Sequence, residues 1–306
     1  MSDILRRLLR KIRVVVLMDF DWTTGKWENA VSLLYLASQM QVYLPAHTPE
    51  NLREMLLQQL VLLMGNLHDK DAQAAEIKAV HDCFRDYIIL HSGFMPPTAE
   101  WSHTARALLI MRRLGVQITP EIIDHMVQAE SEMFEIVASE NPLYEDVRET
   151  FGVLRQRFGA IIIVVTSSDT RTMLRPGQMP LFDPAHSTEQ KIRRVGVQRL
   201  FDVVPETHFI VAEHGKRHEK TTEAIRNLIP HDDRKLFIVT VGDTSGDMHV
   251  PTPSSAIKLA PNMGIFVIRQ RDKDGKYNLP PNAHHAVEQL AEIPELVERA
   301  LRQMDT

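Results

Sequence analysis

A single cysteine, Cys83, stands in this chain of 306 residues. It cannot form an internal disulfide or a thiolate-based zinc site, and it suits a reducing compartment, the cytoplasm. Long apolar runs are lacking too. The longest, Ala160 to Val165, falls far short of the ~18 residues needed to span a bilayer. Neither sign of charge dominates: 35 Lys+Arg against 40 Asp+Glu leave −5 with histidine neutral, so the basic excess of a dedicated nucleic-acid binder is absent. Arg6, Arg7, Arg10, Lys11 and Arg13 do cluster, but Val14 to Met18 behind them is too short for a signal core. That basic stretch reads as a solvated lead-in. Repeats and low-complexity tracts are missing. What is present, 44% hydrophobic and 25% charged residues, is ordinary for a soluble globular protein of about two domains.

Val14 to Met18 is β-branched and apolar throughout, the pattern of a fully buried strand. A long helical region follows. Apolar residues recur at three- and four-residue spacing in Ala30–Leu44, Glu50–Leu67, Ala74–Leu90, Ala99–Leu114 and Glu121–Val137, punctuated by Pro45, Pro49, Gly65, Gly93, Gly115 and Pro142. Beyond Pro142 helices and strands alternate. Leu143–Phe158 reads as a helix stopped by Gly159, and Ala160–Val165 as a buried strand. Leu200–Val204 and Phe209–Val211 read as short strands, Thr221–Ile229 as a helix, Leu236–Val241 and Gly264–Ile268 as strands, and Ile293–Gln303 as a closing helix. Buried strands separated by helices predict a parallel sheet covered on both faces. The fold class is therefore α/β, a Rossmann-like parallel sheet core made by residues 1–25 and 142–306, with an all-helical cap, residues 26–141, inserted after the first strand.

The first strand ends in Asp19-Phe20-Asp21-Trp22-Thr23. Residues two apart on a strand point the same way, so both carboxylates project from its C-terminal end, where open α/β sheets bind ligands. The strand Leu236–Val241 ends in Gly242-Asp243, with Asp247 four residues on. Four carboxylates at two strand ends make an oxygen-rich site of the kind Mg²⁺ prefers. The strand Ala160–Val165 runs into Thr166-Ser167-Ser168, hydroxyl and backbone donors suited to a phosphoryl oxygen. Lys220 abuts the helix Thr221–Ile229, where its charge and the positive helix end act together on an anion.

Asp19-x-Asp21-x-Thr23, Thr166, Lys220 and Gly242-Asp243-x-x-x-Asp247 together resemble the four ordered motifs of the haloacid dehalogenase (HAD) superfamily of phosphohydrolases. The resemblance covers the whole chain, since that family's core often carries a helical cap just after its first motif. It implies a Mg²⁺-dependent phosphatase acting on a small phosphorylated metabolite. Asp19 would be the nucleophile and Asp21 the general acid and base. Thr166, Ser167 and Lys220 would hold the phosphate; Asp19, Asp21 (through its carbonyl), Asp243 and Asp247 would hold the metal. Family members that act on other bonds lack an acid at the position of Asp21, which favours phosphate esters. Departures are Trp22, where the family often has glycine, and a long Pro-containing segment between Thr166 and Leu200. Lys216 competes with Lys220 for the lysine role.

Other signals are set aside. His214 and His218 flank a glycine and lack the glutamate of a zinc helix, and Gly215-Lys216 lacks the Ser/Thr of a P-loop. In the cap, Trp27, His91, Trp101, His103 and Arg106 read as structural or solvent-exposed, and Cys83 as a buried thiol. Met/Leu stripes serve internal packing or a homodimer equally well. Two rivals use the same site: a phosphotransferase or phosphomutase, and a non-catalytic phosphate- or metal-binding regulatory protein. Nucleic-acid and membrane partners are not expected.

Overall fold

The computed structural model describes residues 3–20, 23, 30–63, 69–92, 103–139, 143–167, 198–212, 219–243, 247, 262–269, 271 and 273–304. Among the described residues six strands form one sheet: β1 (Ile12–Asp19), β2 (Ile161–Ser167), β3 (His208–Ala212), β4 (Lys235–Gly242), β5 (Met263–Val267) and β6 (His285–Val287). Their order is β3-β2-β1-β4-β5-β6 and every pairing is parallel. The first strand thus lies inside the sheet, with Val15 beside Ile161 on one flank and Ile238 on the other.

Alternation along β1 explains why both faces are covered. Val15 and Leu17 join Ile163, Val165 and Ile238 under Ile225 and Ile229, on or just after helix α8 (Glu219–Leu228). Val14, Val16 and Met18 face the other way, into a larger cluster with Phe151, Leu154, Ile293 and Val297. Each such Val, Ile or Leu side chain contributes roughly 1.5–3 kcal/mol on burial, so neither face tolerates solvent.

Nine helices are labelled among the described residues: α1 (Asp3–Lys11), α2 (Ala30–Gln41), α3 (Pro49–Leu63), α4 (Lys70–Ser92), α5 (His103–Arg113), α6 (Pro120–Ser139), α7 (Val147–Phe158), α8 and α9 (Ile293–Gln303). Helices α2 to α6 lie between β1 and α7 in sequence. Within them α2 packs against α3 and α6, and α4 against α3 and α5. Leu33, Leu36, Met40, Leu52, Leu56, Met126 and Met133 fill their interior, and Cys83 is buried there as expected. The interior also holds charge. Arg106 is buried, and Glu130 accepts from the Thr104 hydroxyl at 2.6 Å and the His103 amide at 2.8 Å. Helix α7 stops where the sequence predicts, at Gly159, which takes a left-handed φ of 59° and donates its N–H to Arg155.

Three readings are corrected or completed. The basic stretch leads into β1 with Arg6, Arg7, Arg10 and Lys11 exposed, as read, but it is helix α1 and is anchored: Leu5 and Leu8 are three apart, both buried, and the helix packs on α9. Residues 198–203 are helical, where Leu200–Val204 had read as a strand. Leu200 and Val204 stand one turn apart, both buried, and Val204 N–H donates to the Leu200 carbonyl at 2.8 Å. Burial of two residues four apart satisfies a helical turn as well as a strand, and tertiary packing chooses the turn. The third is an omission, since β6 has three residues and is too short to leave a periodic signal. No helix among the described residues is long and apolar enough to cross a membrane.

Candidate active site

All strands being parallel, their C-terminal ends share one edge of the sheet. Register fixes what meets there. Asp19 closes β1 opposite Val165 on β2, which puts Thr166 one residue beyond it. On the other flank Met18 pairs with Val241, so Gly242 and then Asp243 follow beside Asp19. Phe20, directly after Asp19, is buried and meets the edge of Phe209 on β3 at a centroid distance of 5.6 Å, which anchors the turn out of β1.

Asp19, Asp243 and Asp247 converge. One carboxylate oxygen from each lies within 4.8 Å of the other two. Asp19 and Asp243 are 5% and 2% exposed, and Asp247 is half-buried. Gly242 makes the approach possible: a Cβ there would stand 2.2 Å from Asp247 Cβ and 2.6 Å from its Cγ. Only a residue without a side chain lets Asp247 fold back against β4. Three partly desolvated carboxylates in so small a space repel one another, and a divalent cation offsets that repulsion. The donor set is all oxygen, which fits Mg²⁺ and does not suit soft or nitrogen-preferring metals.

Thr166 is buried near the C-terminal end of strand β2, 1% exposed. Ser167 continues β2 beside Ala212. Lys220 is solvent-exposed in the first turn of α8, which begins past the C-terminal end of β3, two strands from β1. Asp21, Trp22, Lys216, His214, His218, Trp27 and Trp101 lie outside the described residues, as do the Pro-containing segment before Leu200 and the side chain of His91. His103 and Arg106 are both buried in the helical block, which agrees with the structural reading and not the solvent-exposed one.

Sequence reasoning missed one group entirely. Arg269, just past β5, reaches Thr23, four residues past Asp19. Its Nη2 donates to the carbonyl of buried Thr23 at 3.1 Å and lies 3.5 Å from Asp146 Oδ1, while its guanidinium sits 3.6 Å above the Tyr144 ring centroid. No local pattern announces such a residue, because each partner is distant in sequence.

No protein-family model matches the chain, and no curated protein does. Solved structures align over nearly its whole length at low identity. A HAD-hydrolase of Bacillus subtilis bound to magnesium matches at 15% identity, covering 94% of this chain and 99% of that one, with a TM-score of 0.45. A haloacid dehalogenase-like hydrolase of Burkholderia xenovorans LB400 matches at 15% identity, 94% and 98% coverage, and a TM-score of 0.43. L-2-haloacid dehalogenase from Xanthobacter autotrophicus matches at 11% identity, 94% and 98% coverage, and a TM-score of 0.43.

Proposed function

We propose that the chain is a HAD-like phosphohydrolase that hydrolyses a small phosphate monoester in the presence of Mg²⁺. The observation that carries this reading is the convergence of Asp19, Asp243 and Asp247 at adjacent strand ends, made possible by Gly242. It is supported by the buried hydroxyl-bearing Thr166 on the other side of Asp19.

In this reading a carboxylate oxygen of Asp19 attacks phosphorus, and the P–O bond to the leaving alkoxide breaks as the aspartyl-phosphate forms. Asp21 gives its proton to that alkoxide. It then takes a proton from the water whose oxygen attacks the phosphoryl group, releasing inorganic phosphate and restoring the Asp19 carboxylate. Thr166, Ser167 and Lys220 hold the phosphoryl oxygens. Asp19, the carbonyl of Asp21, Asp243 and Asp247 hold Mg²⁺, which when bound neutralises phosphate charge and so lets an anionic nucleophile come near. The helical block, 26–141, is the cap over a core of 1–25 and 142–306; it excludes water and selects the substrate.

The test is phosphate release from a generic aryl phosphate. Release that needs Mg²⁺, stops with chelator and is lost in Asp19→Asn is the expected result. Turnover that persists in Asp19→Asn removes the nucleophile assignment. Consumption of the phosphate donor without free phosphate, in the presence of sugar acceptors, favours the phosphotransferase. Inertness toward a broad panel of phosphorylated metabolites, with Mg²⁺ still bound, favours a non-catalytic binding protein.

A further inference from the structure

The chain passes between the sheet and the helical block twice, leaving after Thr23 and returning through Tyr144 and Asp146. Both crossings meet at one side chain. Arg269 donates from Nη2 to the Thr23 carbonyl at 3.1 Å, faces Asp146 Oδ1 at 3.5 Å, and lies over the Tyr144 ring at 3.6 Å. Its Nη1 donates to the Glu288 carbonyl at 3.3 Å, just past β6. The guanidinium side chain is only 10% exposed. Its base is rigid: Ile268, the residue before it, donates its N–H to Val287 at 2.7 Å.

Asp146 is committed to the same junction. It occupies the N-cap position of α7, where an aspartate ordinarily caps its own helix, yet its side chain makes no capping bond. One carboxylate oxygen faces Arg269 and the other accepts the Leu290 N–H at 2.7 Å. A planar guanidinium can serve two acceptors and stack on a ring at once; an ammonium cannot.

We propose that Arg269 is a positioning residue, a clamp that fixes Thr23 and the returning crossing at Tyr144 and Asp146 to each other and to the sheet, and so holds the backbone at Thr23, four residues past Asp19. The link to catalysis rests on the phosphohydrolase reading, in which the clamped Thr23 lies two residues past the acid/base Asp21. The clamp itself rests on the contacts alone.

The experiment compares wild type, Arg269→Lys, Arg269→Met and Asp146→Asn as full-length chains. Hydrogen exchange is followed by peptide, and kcat and KM are measured on an aryl phosphate with Mg²⁺. In Arg269→Met, amide exchange in 20–30 and 143–147 is expected to speed up about tenfold or more while β4 and β5 keep their wild-type protection. The kcat is expected to fall about tenfold or more with KM within about twofold, since misplacement by an ångström suffices for such a loss. Arg269→Lys should recover part of both effects, and Asp146→Asn should loosen the returning crossing most. If Arg269→Met does not fold, Arg269→Lys and Asp146→Asn still carry the comparison. Exchange that rises uniformly over the sheet, or stays at wild type in both crossings, overturns the clamp. Local loosening with kcat unchanged overturns the positioning role. A wild type inert toward all phosphates removes the phosphatase reading, and the exchange data still decide the clamp.

Discussion

Replacing Gly242 by alanine adds one methyl group at the point where the site is tightest. The new Cβ would lie 2.2 Å from Asp247 Cβ, 2.6 Å from Cγ and 2.7 Å from Oδ2. Carbon atoms in contact sit at about 3.5–4.0 Å, so Asp247 must retreat by over an ångström at the root of its side chain, where no rotamer change helps. Mg²⁺ demands near-ideal geometry at about 2.0–2.1 Å. The displaced carboxylate therefore leaves the cation's reach, and an affinity loss of about 100-fold is the expected scale. The assay is thermal unfolding with and without Mg²⁺. At a concentration 100 times the wild-type Kd, the ion stabilises the wild type by about 2.7 kcal/mol, or roughly 4 °C for a chain of this size. For the variant the same concentration gives about 0.4 kcal/mol, less than a degree. Gly152→Ala is the control: it lies within α7 with nothing within 4 Å of the added Cβ, so it should stabilise by about 0.5–1 kcal/mol and leave the Mg²⁺ shift intact. A Gly242→Ala protein with the full wild-type Mg²⁺ shift, alongside an Asp247→Asn protein that has lost it, would refute the argument.

Asp21→Asn should leave phosphorylation of Asp19 by an activated aryl phosphate largely intact but slow steady-state turnover by about 10²–10⁴, detectable as trapped phosphoprotein in a quench experiment. Gly159→Ala forces a side chain into a left-handed φ of 59° and should cost about 1–2 kcal/mol in urea unfolding, with Gly159→Asn costing less. The Tyr35 hydroxyl donates to Glu132, and this bond, then burial, then the carboxylate's charge push the phenol from 10.0 up to about 12. Native Tyr35 keeps its proton where the unfolded chain has lost it, so stability present below pH 10 should fall as pH climbs toward about 12. An ultraviolet titration in which Glu132→Gln does not bring a tyrosine back toward the ordinary range would overturn that assignment.

The strands β1, β2, β4 and β5 were legible because each is a short apolar run rich in β-branched residues, and a strand buried on both faces leaves no other trace. The clustered carboxylates Asp19 and Asp243 were legible for a related reason: they stand at the ends of those runs, so locating the strand locates the side chain. Helix α1 was obscured because its arginines and Lys11 mask a short apolar stripe, although the buried Leu5 and Leu8, with Leu9 partly buried beside them, decide which face packs. Arg269 was invisible. Its partners Thr23 and Asp146 lie 246 and 123 positions away, and no window reaches that far. The hub at Glu130 was hidden likewise, its donors being 26 and 27 residues distant on another helix. Local pattern finds what a residue is built into; it does not find what a long side chain reaches across to.

The placement of β1 has a further consequence, in time. Its pairing of Val15 with Ile161 and Ile238 spans nearly half and nearly three quarters of the chain. At synthesis rates of about 5–20 residues per second, β1 waits on the order of ten seconds for its first neighbour and longer for its second. Helices α2 to α6, whose contacts are mostly with one another, need no such wait. An apolar strand is therefore left without a sheet while the block behind it assembles. The segment most central to the finished fold is the one most in need of protection before the fold exists.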